Sequence, residues 1–111
     1  MFKVTKNRTF THDVKIFTPS DGGFIEEKLK TTFTMVAVDE VRKFDLSTAV
    51  GTDGFLLCVV RKFDELTGED DQPVPYSDAL RDQILKLPHA RQGLVKAYFE
   101  AVSNDGPKAG N

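Results

Sequence analysis

The chain has 111 residues, 40% hydrophobic and 29% charged, with a formal net charge of −2. That length suits a single domain around one core, and the slight acidic excess argues against a general nucleic-acid binder, which carries a strong basic surplus. The one cysteine, Cys58, excludes an intrachain disulfide and cannot supply a structural zinc site.

The opening stretch MFKVTKNRTF lacks the apolar segment of a signal peptide. The longest apolar run, FLLCVV at 55–60, is far below the roughly 20 residues that cross a bilayer. A cytosolic address with no membrane partner is therefore expected. Phe2 to Lys6 suits a short edge strand. Phe10, His12, Val14 and Ile16 then alternate with Thr11, Asp13 and Lys15, the period of two of a half-buried strand. PSDGG at 19–23 is a dense turn signal. Beyond it, Leu29, Thr31, Phe33 and Met35 alternate with Lys28, Lys30, Thr32 and Thr34. Together these predict an antiparallel hairpin over about 8–37, with Phe2–Lys6 a candidate third strand. A hairpin alone is marginal in water, so its apolar face needs a cover.

A helical part over about 39–103 is predicted to supply that cover. Asp39 is a candidate N-cap for EVRKFDLSTAV. GTDG at 51–54 reads as a break, with Asp53 capping a second helix through FLLCVVRKF, apolar nearly all round and so expected at the centre. DELTGEDDQPVPY, 64–76, reads as an acidic loop. Ser77 caps DALRDQILKL, whose Leu80, Ile84 and Leu87 form one stripe. Pro88 fits the first turn of a further helix, in which Ala90, Leu94, Ala97, Tyr98, Ala101 and Val102 recur at spacings of three and four. Gly93 inside that helix costs up to about 1 kcal/mol against alanine, which points to a close neighbour. NDGPKAGN, 104–111, reads as a flexible tail. The fold class is α+β, an N-terminal hairpin followed by about four helices, in a single domain over 1–103.

No catalytic constellation emerges. Cys58 lies within FLLCVV, where a buried thiol is inert. His12 and His89 have no ligand partners at metal-site spacing. Glu65, Glu69, Asp70 and Asp71 do not follow the calcium-loop rhythm, and GTDG and SDGG match neither phosphate-binding glycine pattern. A non-enzymatic protein without cofactor or metal is expected; a metal-dependent hydrolase would require His12, His89 or the acidic loop to meet in one pocket. The apolar residues of the helical part exceed what one small core needs, and in the last helix Val95 and Phe99 widen the stripe. A surplus of this kind suits docking of an amphipathic partner helix or of another copy of the chain, giving a homo-oligomer.

The order of elements resembles the tail assembly chaperones of long-tailed phages and prophages. The similarity covers roughly residues 8–102. Its most specific pieces are Pro73-Val74-Pro75-Tyr76-Ser77 and Leu94-Val95-Lys96-Ala97-Tyr98-Phe99-Glu100-Ala101. Phe63-Asp64-Glu65-Leu66 departs from the aromatic–Asp–Gly–Val step of many relatives. The resemblance implies a host-cytoplasmic protein, absent from the mature virion, that engages the tape measure protein. The tail tube protein and a frameshifted, longer form of the same chain are further implied partners. Leu94, Val95, Tyr98, Phe99 and Val102 are the partner-binding residues expected on this reading. The alternative is a structural head–tail or tail component retained in the particle.

Overall fold

A computed structural model describes residues 1–103; the flexible tail expected at 104–111 lies outside the described residues. Two strands, β1 (Thr9–Ser20) and β2 (Gly23–Thr34), form the predicted antiparallel hairpin, closed by Ser20 opposite Gly23. Gly22 in the turn has φ 80°, a conformation in which a Cβ is costly. Phe10 lies opposite Phe33 and Val14 opposite Leu29 on the face that enters the core. On the outer face the Thr11 and Thr32 hydroxyls are 2.8 Å apart.

The third strand comes from elsewhere than expected. Phe2–Lys6 forms no strand. Instead β3 (Val60–Asp64) pairs antiparallel with β2, giving the order β1-β2-β3. The stretch FLLCVVRKF is thus half helix and half strand, and the expected helical span 39–103 is interrupted. A β-bulge explains why the strand was hidden. Lys62 lies opposite Thr32 but Val60 lies opposite Phe33, so Arg61 is the extra residue. Val60 and Phe63, three apart, therefore both point into the core, a spacing that imitates a helix.

The helices also begin differently from the prediction. Helix α1 is a single turn, Val38–Val41, with Ala37 at its N-cap position in place of Asp39. Asp45 helps to end that segment, since its Oδ1 accepts hydrogen bonds from both the backbone N–H and the hydroxyl of Ser47. Helix α2 (Ala49–Val59) runs straight through GTDG, and its cap is Thr48, whose hydroxyl accepts from the Gly51 N–H; Asp53 caps nothing. Ser77 caps α3 (Asp78–Leu85) by accepting from the Leu80 N–H, and Pro88 opens α4 (Pro88–Val102), both as predicted.

The core lies between the sheet and the helical layer. Phe33, Phe55, Leu56, Val59, Phe63, Leu94 and Tyr98 are its most buried members. The Tyr98 ring packs near Phe10, Phe33 and Phe55, and its hydroxyl accepts from the Val36 N–H at 3.2 Å. Helix α4 crosses β1 at Gly93, where a Cβ would stand 2.6 Å from Ile16 Cδ1 and 2.9 Å from the Lys15 carbonyl oxygen. This is the close neighbour that a glycine inside the helix implied. Beyond this crossing the hairpin projects, and no residue from 17 to 28 is buried.

Candidate interaction surface

The groups capable of chemistry stay apart. His12 is exposed on β1 with its ring edge against Phe10 at 5.1 Å, and His89 is half-buried in the first turn of α4. The acidic loop folds on itself, with Gly68 N–H donating to the Gln72 carbonyl and Val74 N–H to the Leu66 carbonyl. Among the described residues no group of three or more His, Cys, Asp or Glu side chains is placed to hold a metal ion. Cys58, expected to be buried, is half-buried. Its thiol is nonetheless held above the ordinary value, first by partial burial and then by the Glu40 carboxylate.

The five residues expected to bind a partner divide into two sets. Leu94 and Tyr98, 0% and 1% exposed, belong to the core and offer no free surface. Val95, Phe99 and Val102 are half-buried and pack against that core, with Phe99 stacked on Phe55 at 5.3 Å and an interplanar angle of 4°. The reason is the position of α4 between β1 on one side and α2 on the other, which covers both flanks of its apolar stripe. Its solvent line is polar: Gln92, Lys96 and Glu100. Of the five, Val95 lines the larger of the two clefts described below.

Exposed apolar side chains of the helical layer include residues on α2 and at the α3–α4 junction. Val50 and Leu57, 81% and 52% exposed, share one face of α2 with Asp53 between them, at positions i, i+3 and i+7. Leu87, just before α4, is also exposed. A cleft of about 270 Å³ is lined by Asp53, Leu57, Asp82, Leu85 and Lys86. A second cleft, about 560 Å³, opens between the start of α2 and α4 over Leu46, Ala49, Pro88 and Val95, with Arg91 and Lys96 as its charged lining.

Arg91 joins the two clefts. Its guanidinium pairs with Asp53 and donates to the carbonyls of Leu85 and Ala49. One side chain thereby ties the start of α2, the end of α3 and α4 together, so the clefts have fixed walls. The arrangement can grip apolar side chains between tied helices; in the lining of the larger cleft the Ser47 hydroxyl donates to Asp45 Oδ1 at 2.6 Å. Sequence pattern does not join Val50 and Leu57, because GTDG between them reads as a break that divides them between two elements. Comparison with family models, with curated proteins and with solved structures found no match.

Proposed function

We propose that this protein is a tail assembly chaperone of a long-tailed phage or prophage that covers apolar helical segments of the tape measure protein in the host cytoplasm. The observation that carries the reading is the exposure of Val50 and Leu57 on one face of α2, with Leu57 lining a cleft in the helical layer. Partly sheltered apolar side chains next to a groove suit a partner that presents an amphipathic helix. The order of elements read from the sequence supplies the choice of partner.

The physical requirement is reversible cover. A long amphipathic chain exposes apolar stripes until tube subunits enclose it, and whatever shields it must later be displaced. Burying Leu57 and Val50 contributes about 1–3 kcal/mol each at the usual coefficient for apolar area. A patch built on a few such side chains gives a modest, displaceable interface. Three of the motif residues support the scaffold. Tyr76 hydrogen-bonds to Asp78 and the Arg61 carbonyl, and Leu94 and Tyr98 fill the core, so they build the scaffold that presents the α2 face.

Co-expression tests the reading. The tape measure protein of the same phage should move from the pellet to the soluble fraction when this chain is present, and should co-purify with it. Equal solubility with and without this chain would contradict the proposal.

A further inference from the structure

The two edges of the sheet are unequally protected. The Met35 N–H donates to the Arg8 carbonyl at 2.8 Å, which fixes the bonding parity of the whole hairpin, because bonded and non-bonded pairs alternate along an antiparallel ladder. In the observed register Ile25 and Glu27 therefore turn their backbone groups towards β1, while Phe24, Glu26 and Lys28 turn theirs the other way. Strand β3 covers that side of β2 only from Lys30 to Phe33 and ends at Asp64. Its line stops at Glu65, where φ is 57°, outside the strand region, and where the carboxylate is held by Lys30 at 3.2 Å. Residues 24–28 are all exposed, and among the described residues no strand pairs with their outer side. The free edge of β1, by contrast, is interrupted twice. Pro19 has no N–H to offer there, and α4 abuts the Lys15 carbonyl at Gly93. An open run of strand edge is a template for another strand, and sheets seldom leave one unguarded.

The side chains along the open run alternate between the faces of the sheet. Phe24, Glu26 and Lys28 lie on the outer face, and Ile25 and Glu27 on the face that carries Leu29 and Phe33. Phe24 and Ile25 are 71% and 51% exposed. Among the described residues neither Glu26 nor Glu27 has an ion-pair or hydrogen-bond partner for its carboxylate. Each face of the edge thus presents one apolar side chain and one free acid. A second copy matches this poorly: two such edges paired antiparallel about Glu26 would set that carboxylate against its own counterpart.

We infer that residues 24–28 accept an added strand from a different protein, an extended segment with two consecutive basic residues followed by two apolar ones. Running antiparallel to β2, in line with β3, it places its basic residues opposite Glu27 and Glu26, one on each face. Its apolar residues then fall opposite Ile25 and Phe24. Backbone hydrogen bonds to Phe24, Glu26 and Lys28 provide the attachment, and the two acids provide the selection. This edge is part of the sheet, and its use does not depend on what the α2 face meets.

The peptide acetyl-Thr-Lys-Lys-Val-Val-amide, titrated to about 2 mM into the full chain, tests this in the range where small contacts form. Amide hydrogen exchange, followed by NMR, should slow at least about threefold at Phe24, Glu26 and Lys28. Ile25 and Glu27 should change little, because β1 already holds their N–H groups. N-methylation of the second lysine removes the N–H that meets the Glu26 carbonyl and should weaken binding at least about tenfold. N-methylation of the first lysine, whose N–H points away from β2, should not. That comparison uses the wild-type chain, so it does not depend on the folding of any variant. Glu26→Lys with Glu27→Lys should also weaken binding at least about tenfold, and acetyl-Thr-Glu-Glu-Val-Val-amide should bind that variant in its place. No slowing at about 2 mM, equal slowing across residues 24–28, or indifference to which lysine is methylated would overturn the inference. So would protection of Phe24, Glu26 and Lys28 that grows with protein concentration in the free chain, since a second copy would then occupy the edge.

Discussion

Gly51→Ala is expected to destabilise the protein by at least about 2 kcal/mol, towards or beyond the upper end of ordinary overpacking costs. Helix propensity alone predicts the opposite, a gain of up to about 1 kcal/mol for replacing a glycine within a helix. Geometry decides between them. A Cβ on Gly51 would stand 1.9 Å from the Asp45 carbonyl oxygen and 2.6 Å from its carbon. These are backbone atoms, and the same oxygen accepts from both the N–H and the hydroxyl of Thr48 at 3.1 and 2.9 Å. The turn cannot retreat without loosening the cap of α2. Chemical denaturation of the purified variant measures the loss, and a variant as stable as the wild type would show that Asp45 does not lie where the structure puts it.

Phe55→Ala is expected to cost about 3–5 kcal/mol, the usual range for emptying a buried aromatic site. Phe55 is fully buried and stacks on Phe99, with Tyr98 edge-on at 5.4 Å and Phe44 edge-on at 6.2 Å. Those rings come from α2, α4 and the segment after α1, so the void would open where three parts of the chain meet. With domains of this size stable by only about 5–15 kcal/mol, the variant should melt more than about 10 °C lower. A loss below about 1 kcal/mol would mean that this aromatic cluster is not the centre of the core.

The two glycines of GTDG also show what the sequence revealed and what it hid. Gly51 and Gly54 looked like a helix breaker, yet both lie inside α2. One admits the Asp45 backbone and the other the Phe44 ring, which would lie 2.9 Å from an added Cβ. A close approach by another segment has no local pattern, so composition alone could not reveal it. The hairpin was legible because both strands keep a period of two and the turn residues mark its end. Strand β3 was not, since its bulge puts Val60 and Phe63 at helical spacing. Ser77 and Pro88 announced α3 and α4 because capping is a local event.

The same distinction governs the candidate surface. Periodicity showed that α4 carries a wide apolar stripe, but not that it lies between β1 and α2. Leu94 and Tyr98 therefore became core and not contacts. The α2 face was invisible for the converse reason: once GTDG is read as a break, Val50 and Leu57 no longer belong to one helix. The fold class survived these errors because it depends on the hairpin and on amphipathic cover. Which residues stay exposed was less legible, because that depends on which stripes the cover leaves over.

The proposed function requires the α2 face to meet the tape measure protein. Affinity purification of the co-expressed pair, with Leu57→Lys beside the wild type and Lys28→Ala as a control on the outer hairpin, tests it most directly. Leu57 is half exposed, so its substitution should leave the melting temperature within about 2–3 °C of the wild type. The Leu57→Lys protein should recover at least about tenfold less tape measure protein, the result of placing a charge where an apolar side chain is to be buried. Full recovery with Leu57→Lys, in a protein shown to be folded, would contradict the account.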